Sequence, residues 1–355
     1  MNDKSIIKKL DDEGHLYYMD YAGDYYDPKL IREIRKIVRA RSGCSCFLTH
    51  NEGGDVITCR NYDLGHRVSE SDPSFTGLNI ILHCKPEGKY ESIGVADAVW
   101  TDPFNPFYQT GGPEMDSFHP GLFVGLPYVC MDGINEKGLH ASLLRTEIKK
   151  GDQPAQTGYA PGFIIRQLLD NSADAEEAIC LVKSSELRPA DWQDTHIFVT
   201  DAKGNSIVLE SRNGQLSVKN SDIVTNFYVC SNDMEDSYSG GVLREKAVYM
   251  AEADGKKRYS IGYGHGYHRF VSIQSQLEMY RDSTAEAYRT VMSEEQALVV
   301  LRSVVQNPFT KAVGTSWTQY SAIYNNTERT VRVWSYQDYS RSYCYDVRGN
   351  TFQEL

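Results

Sequence analysis

Gly43-Cys44-Ser45-Cys46-Phe47, followed by Cys59-Arg60-Asn61-Tyr62-Asp63, is the stretch on which the reading of this chain turns. Arg60 lies sixteen residues after Cys44 and Asp63 nineteen. Leu48-Thr49 and Val56 to Thr58 flank the turn Asn51-Glu52-Gly53-Gly54, a pattern that predicts a β-hairpin. A hairpin of that size folds Arg60 and Asp63 back toward Cys44. A thiol, a guanidinium and a carboxylate then share one place, and a cation beside a thiol favours the nucleophilic thiolate.

The rest of the chain sets bounds on that chemistry. Its 355 residues suffice for one large domain or two ordinary ones. The formal net charge of −11 argues against nucleic acid or an anionic membrane as main partner, since both need a basic footprint. The basic run from Arg32 to Arg41 reads as one face of a helix. Met-Asn-Asp-Lys-Ser at the N-terminus is too charged for a secretory signal, and no apolar run is long enough to span a bilayer. The eight cysteines show no paired metal spacing, so reduced, buried thiols in a cytoplasmic protein are expected. His265 and His268 share a glycine- and tyrosine-rich loop but have no acidic or cysteine partner nearby. No metal and no cofactor are called for.

Residues 1–43 read as a tyrosine-rich, polar lead-in plus one amphipathic helix. Asp27-Pro28 starts that helix, Leu30, Ile31, Ile34, Ile37 and Val38 share a face, and Ser42-Gly43 ends it. Residues 44–355 read as a single domain rich in strands. Strands are expected over 78–83, 94–100, 122–130, 139–145, 196–200 and 206–210. The meander continues at 215–219 and 222–226, and two strands around Asn325-Asn326 close the chain. Residues 132–138 read as a turn, and 163–169, 175–182, 270–280 and 294–305 as helices. The order of strands and helices favours α+β layering with antiparallel sheets over βαβ units.

Several short motifs together resemble the choloylglycine hydrolase family of N-terminal-nucleophile cysteine amidases, the linear amide C–N hydrolases. Gly-Cys-Ser-x-Phe is followed at the family's spacing by Arg60-Asn-x-Asp63. Asp132-Gly133-Ile134-Asn135-Glu136-Lys137-Gly138-Leu139 resembles the family's glycine-rich turn. Val224-Thr225-Asn226, His268-Arg269-Phe270 and Thr318-Gln319-Tyr320 follow in family order. The resemblance covers roughly residues 43–340 and implies a four-layer αββα sandwich.

It also implies roles. Cys44 would become the first residue of a mature chain by autocatalytic cleavage of Gly43–Cys44, with residues 1–43 as propeptide. It would attack the amide carbonyl of a small N-acyl amide and form a thioester, its own α-amino group serving as base. Arg60 would hold the thiolate, Asp63 would orient the α-amino group, Asn226 would donate to the oxyanion, and Arg269 would add positive potential. Arg145 stands where bile salt hydrolases have asparagine and penicillin acylases tyrosine. A guanidinium there puts bile salt preference in doubt and suits an acidic or polar substrate group. A plain alternative stands beside each role: a buried cysteine, a surface ion pair, a turn cap, a strand-end amide, a surface arginine or a solvated strand residue.

Cys46 is the rival nucleophile, although its spacing to Arg60 fits less well. Two other functions stay open: acyl transfer to an amine on the same fold, and an unprocessed binding protein whose leader blocks the pocket. The acyl group is not legible, and a homo-oligomer is compatible with the resemblance.

Overall fold

The computed structural model describes residues 6–12, 14–21, 25, 41–42, 44–65, 78–98, 125–146, 161–184, 195–229, 251–253, 256–258, 262–285, 288–306 and 317–355. The predicted hairpin is present and longer than its apolar signal: β4 (Ser45–His50) pairs antiparallel with β5 (Val56–Gly65), Ser45 opposite Asn61. Gly54, at φ +90°, supplies the left-handed residue of the turn, and Asn51 Oδ1 accepts from Asp55 N at 2.9 Å to close it.

That hairpin lies within a sheet ordered β13-β4-β5-β16-β17-β18-β19, with the short β3 (Arg41–Ser42) also paired to β5. Its other strands are β13 (Ile223–Val224), β16 (Trp317–Asn325), β17 (Thr330–Ser335), β18 (Tyr343–Asp346) and β19 (Thr351–Glu354). The second sheet runs β1-β2-β6-β7-β8-β9-β10-β11-β12. It comprises β1 (Ile6–Lys9), β2 (Leu16–Tyr21), β6 (Asn79–Cys84), β7 (Ser92–Asp97), β8 (Cys130–Asn135), β9 (His140–Arg145), β10 (Thr195–Thr200), β11 (Ser206–Arg212) and β12 (Gln215–Asn220). A separate two-stranded ribbon joins β14 (Ala251–Ala253) to β15 (Lys256–Arg258).

Helices cover the outer faces. On the second sheet lie α1 (Pro161–Asn171) and α2 (Ala175–Lys183), the latter capped by Asp174, whose side chain accepts from the amides of Glu176 and Glu177. On the first lie α3 (Gly262–Met279) and α4 (Glu294–Ser303), whose N-terminus carries a Ser293/Gln296 capping box. The order helix, sheet, sheet, helix is the αββα sandwich.

Period-two alternation on β5 explains how the layers are joined. Thr58, Arg60 and Tyr62 point between the sheets. Thr58 Oγ1 meets Thr200 Oγ1 at 2.6 Å and Tyr62 Oη donates to Asp97 Oδ2 at 2.9 Å. Asn61 points the other way and donates to Leu301 O of α4 at 2.8 Å.

Several expectations need correction. Residues 126–129 form a 3₁₀ helix, and the strand begins at Cys130, because Pro127 supplies no backbone donor. Asp132 to Asn135 are strand, not turn: Gly133 sits opposite Gly94 of β7, and a side chain there would strike Ile93 O and Leu169. Val224 leaves the meander and pairs with Cys46 in the other sheet. His265 and His268 belong to α3, not to a loop. The predicted helix over 28–40 lies outside the described residues, but Arg41 and Ser42 are strand. Residues 6–9 and 16–21 are not a polar lead-in; they form two strands, and β2 runs parallel to β6 with Leu16 opposite Asn79. Among the described residues the seven cysteines are free. Five are buried, but Cys180 is exposed and Cys344 half-buried.

Candidate active site

Cys44 stands one residue before β4, at the strand end where both faces of β5 converge. Its side chain is 1% exposed. From the inter-sheet face, Arg60 Nη2 approaches Cys44 Sγ at 3.8 Å while Nη1 reaches Cys46 Sγ at 3.4 Å. Alternation thus puts both sulfurs on one guanidinium, as expected for residues two apart on a strand. Arg60 Nη2 also donates to Leu143 O of β9 at 2.8 Å, across the sandwich.

From the helix side come Asp63, Asn226 and Arg269. Asp63 Oδ1 accepts from Thr318 Oγ1 at 2.6 Å, and Oδ2 lies 3.6 Å from Arg269 Nη1. Arg269 also donates through Nη1 to Cys44 O at 2.6 Å and to Ser45 Oγ, and through Nη2 to Asn226 Oδ1 at 2.5 Å. Gly266, one turn earlier on α3, lets the helix close on β13, since a Cβ there would sit 3.1 Å from Asn226 N. Thr225 Oγ1 fastens the same contact by donating to Gly266 O at 2.6 Å.

The backbone nitrogen of Cys44 donates to Asn226 Oδ1 at 2.7 Å. Its partner is therefore the Asn226 amide and not the Asp63 carboxylate. Asn226 Nδ2 donates one hydrogen to Arg145 O at 2.6 Å and carries a second. Five of the six expected site residues, Cys44, Arg60, Asp63, Asn226 and Arg269, form one cluster. Arg145 adjoins it through its carbonyl. Arg60, Asp63 and Arg269 are buried, whereas Asn226 and Arg145 are half-buried, so the cluster reaches solvent on their side.

Burial sets the electrostatics. It pushes the Cys44 thiol up, against the pull of Arg60, and in the continuous chain burial wins. Cys46 is pushed up to about 12 by the same cause. In the continuous chain the pull of Arg60 does not by itself offset that burial. Asp63 is raised to about 7 by burial, with Arg269 opposing. Burial also lowers Arg269.

Some participants were missed from sequence. Thr318 and Ser45 hold Asp63 and Arg269, and Asp132 pairs with Arg60 behind the site. Thr318 and Asp132 sat inside the quoted motifs without a role. Their signal was the motif itself; their partners lie on other elements.

A family model described as linear amide C–N hydrolases, choloylglycine hydrolase family, matches residues 44–338. The chain belongs to this family. It is an amidohydrolase acting on linear amides. Solved structures of a conjugated bile acid hydrolase share its fold at low identity. An arginine-to-leucine variant of the conjugated bile acid hydrolase from Clostridium perfringens superposes with a TM-score of 0.55 at 16% identity, covering 88% of this chain and 96% of that one. A cysteine-to-alanine variant of the same hydrolase gives 0.51 at 17%, with 88% and 96% covered. The penicillin V acylase from Agrobacterium tumefaciens gives 0.49 at 16%, with 88% and 91% covered. No curated protein sequence matches the chain. Among the described residues, no group of three His, Cys, Asp or Glu could hold a metal, and no helix is long and apolar enough to cross a membrane.

Proposed function

We propose that this choloylglycine hydrolase family member cleaves a linear N-acyl amide through Cys44, after scission of the Gly43–Cys44 bond. Scission converts the Cys44 amide nitrogen into an α-amino group, which titrates near ~7.7–8.0 and accepts a proton at neutral pH. Sγ then attacks the amide carbonyl as its proton passes to that amine. The C–N bond breaks, the protonated amine leaves, and a thioester remains. Water adds to the thioester, and the carboxylic acid departs as Sγ takes back a proton. The second hydrogen on Asn226 Nδ2 serves the oxyanion, Arg60 holds the developing thiolate, and Asp63 and Arg269 keep Asn226 and Cys44 in register. Arg145, on the solvent side, meets the substrate and favours an acidic or polar group.

One observation carries this reading: the nitrogen that scission would free is already within the cluster, 2.7 Å from Asn226 Oδ1, beside its own sulfur. Mass spectrometry of active protein tests it. A chain beginning at Cys44 is expected, with Cys44→Ala abolishing scission and hydrolysis together. Hydrolysis by protein in which residue 43 remains bonded to Cys44 overturns the reading. A substrate panel on material of confirmed N-terminus then identifies the acyl group.

A further inference from the structure

The glycine-rich Asp132 segment and the Thr318-Gln319-Tyr320 segment meet behind Arg60. Asp132, on β8, is fully buried and paired through Oδ2 to Arg60 Nε. Tyr320 Oη donates to the same oxygen at 2.5 Å, and Tyr324 Oη donates to Oδ1. Both tyrosines lie on β16 and are fully buried. Two hydroxyl donors and a guanidinium edge leave this carboxyl acting as acceptor throughout, which suits the ionised form.

The guanidinium is planar, so fixing one edge fixes the rest. With Nε on Asp132 and Nη2 on Leu143 O, the outer nitrogens have one place to point: Cys44 Sγ and Cys46 Sγ. Among the described residues, no hydrogen bond or ion pair joins the Asp132 carboxylate to either sulfur. It belongs to one sheet and Arg60 to the other, so the pair also sets the distance across the sandwich at the site.

We infer that Asp132, clamped by Tyr320 and Tyr324, is the positioning residue for Arg60. It aims the guanidinium at the nucleophile, and its negative charge offsets part of the positive charge that Arg60 presents to Cys44. The inference rests on Cys44 as nucleophile. The charged and titratable groups around the thiol are Arg60 and Asp63 on β5, Arg269 on α3 and Cys46 on β4, with Asp132 behind Arg60.

The test is Asp132→Asn, which keeps the shape and removes the charge, compared with Tyr324→Phe, which keeps the charge and removes one clamp. Hydrolysis kinetics are measured alongside the pH dependence of iodoacetamide alkylation at Cys44. For Asp132→Asn, kcat is expected to fall about 100-fold, the scale of a small misplacement of a catalytic group, with KM unchanged. The alkylation midpoint moves to lower pH, because Arg60 is no longer partly neutralised. Tyr324→Phe lowers kcat less and leaves the midpoint in place. A purely structural role would lower the active fraction and move neither kcat per active site nor the midpoint, and that result overturns the inference. If Asp132→Asn does not fold, Tyr320→Phe and Tyr324→Phe decide, and wild-type kcat in both rejects it. A folded Asp132→Asn chain that is never cut supports it, since the same sulfur would serve both steps. Cys44→Ala run in parallel separates the two ideas: activity without Cys44 sinks the nucleophile, whereas normal Asp132→Asn beside inert Cys44→Ala sinks only the positioning role.

Discussion

Asp63 shows how burial sets the chemistry of a single side chain in this site. Its carboxyl is fully buried and titrates near about 7 instead of 3.8. Between those values the folded protein holds a proton that the unfolded chain has lost. The stability this group contributes is present below the unfolded value and is lost as pH rises through about 7. Asparagine at 63 has no such titration. In an uncut Cys44→Ala background, Asp63→Asn is therefore expected to gain melting temperature relative to its parent between about pH 4 and about pH 8. Thermal melts across that range check it, and a gap independent of pH would show that the carboxyl is not buried in protonatable form. Residue identity and spacing made Cys44, Arg60 and Asp63 legible, because a short hairpin must bring its arms together. The partner of the Cys44 nitrogen was not legible. It is Asn226, more than a hundred residues away, and only the β4–β13 pairing makes them neighbours.

At the level of elements, β7 and β8 are packed through glycines. Gly94 and Gly133 face each other across the ladder, and a Cβ on Gly133 would lie 2.7 Å from Ile93 O and 2.8 Å from Leu169 of α1. No flexible side chain tip can absorb both contacts. Gly133→Ala is expected to cost about 1–3 kcal/mol, the usual range for overpacking, and to displace the neighbouring Asp132. Denaturant melts measure the first effect and kcat the second; wild-type values for both would show that the helix can move away. The same segment explains a misread element. Asp, Gly and Asn are turn formers in local sequence, so Asp132 to Asn135 read as a turn. Here Asp132 has Arg60 and two tyrosines, and Asn135 donates to Leu169 O and Ser172 O at 2.9 and 2.8 Å. Tertiary partners outweighed local preference. Where preference and packing agreed, as in α2 behind its Asp174 cap and α4 behind its Ser293/Gln296 capping box, the helices expected over 175–182 and 294–305 are present.

For the molecule as a whole, the segment before Cys44 is built into both sheets, β1 and β2 into one and β3 into the other. Its strands β1 and β2 extend the sheet past β6, whose six residues are all buried. Tyr25 donates to Asp170 Oδ2 of α1 at 3.1 Å, and Ser335 and Tyr343 of the other sheet donate to Asp11 Oδ2 and Leu10 O at 2.7 and 2.6 Å. We propose that scission at Gly43–Cys44 cuts the chain without releasing this segment. The two polypeptides are expected to co-elute in native buffer and separate only in denaturant. Expression from Cys44 alone should expose the β6 edge and aggregate. Free release of the N-terminal fragment on scission would contradict this. The amino-acid sequence by itself determined the α+β layering and the hairpin bearing Cys44, Arg60 and Asp63, because hydrophobic period and motif spacing are local properties; the αββα arrangement came with the family resemblance that its motifs carry. Only the tertiary structure decided that Tyr17, Tyr18 and Tyr21 lie on a strand, that Asn226 holds the Cys44 nitrogen and that Asp132 stands behind Arg60. Each of these depends on which distant strands pair, and pairing is settled by burial across the whole sandwich, not by any one segment.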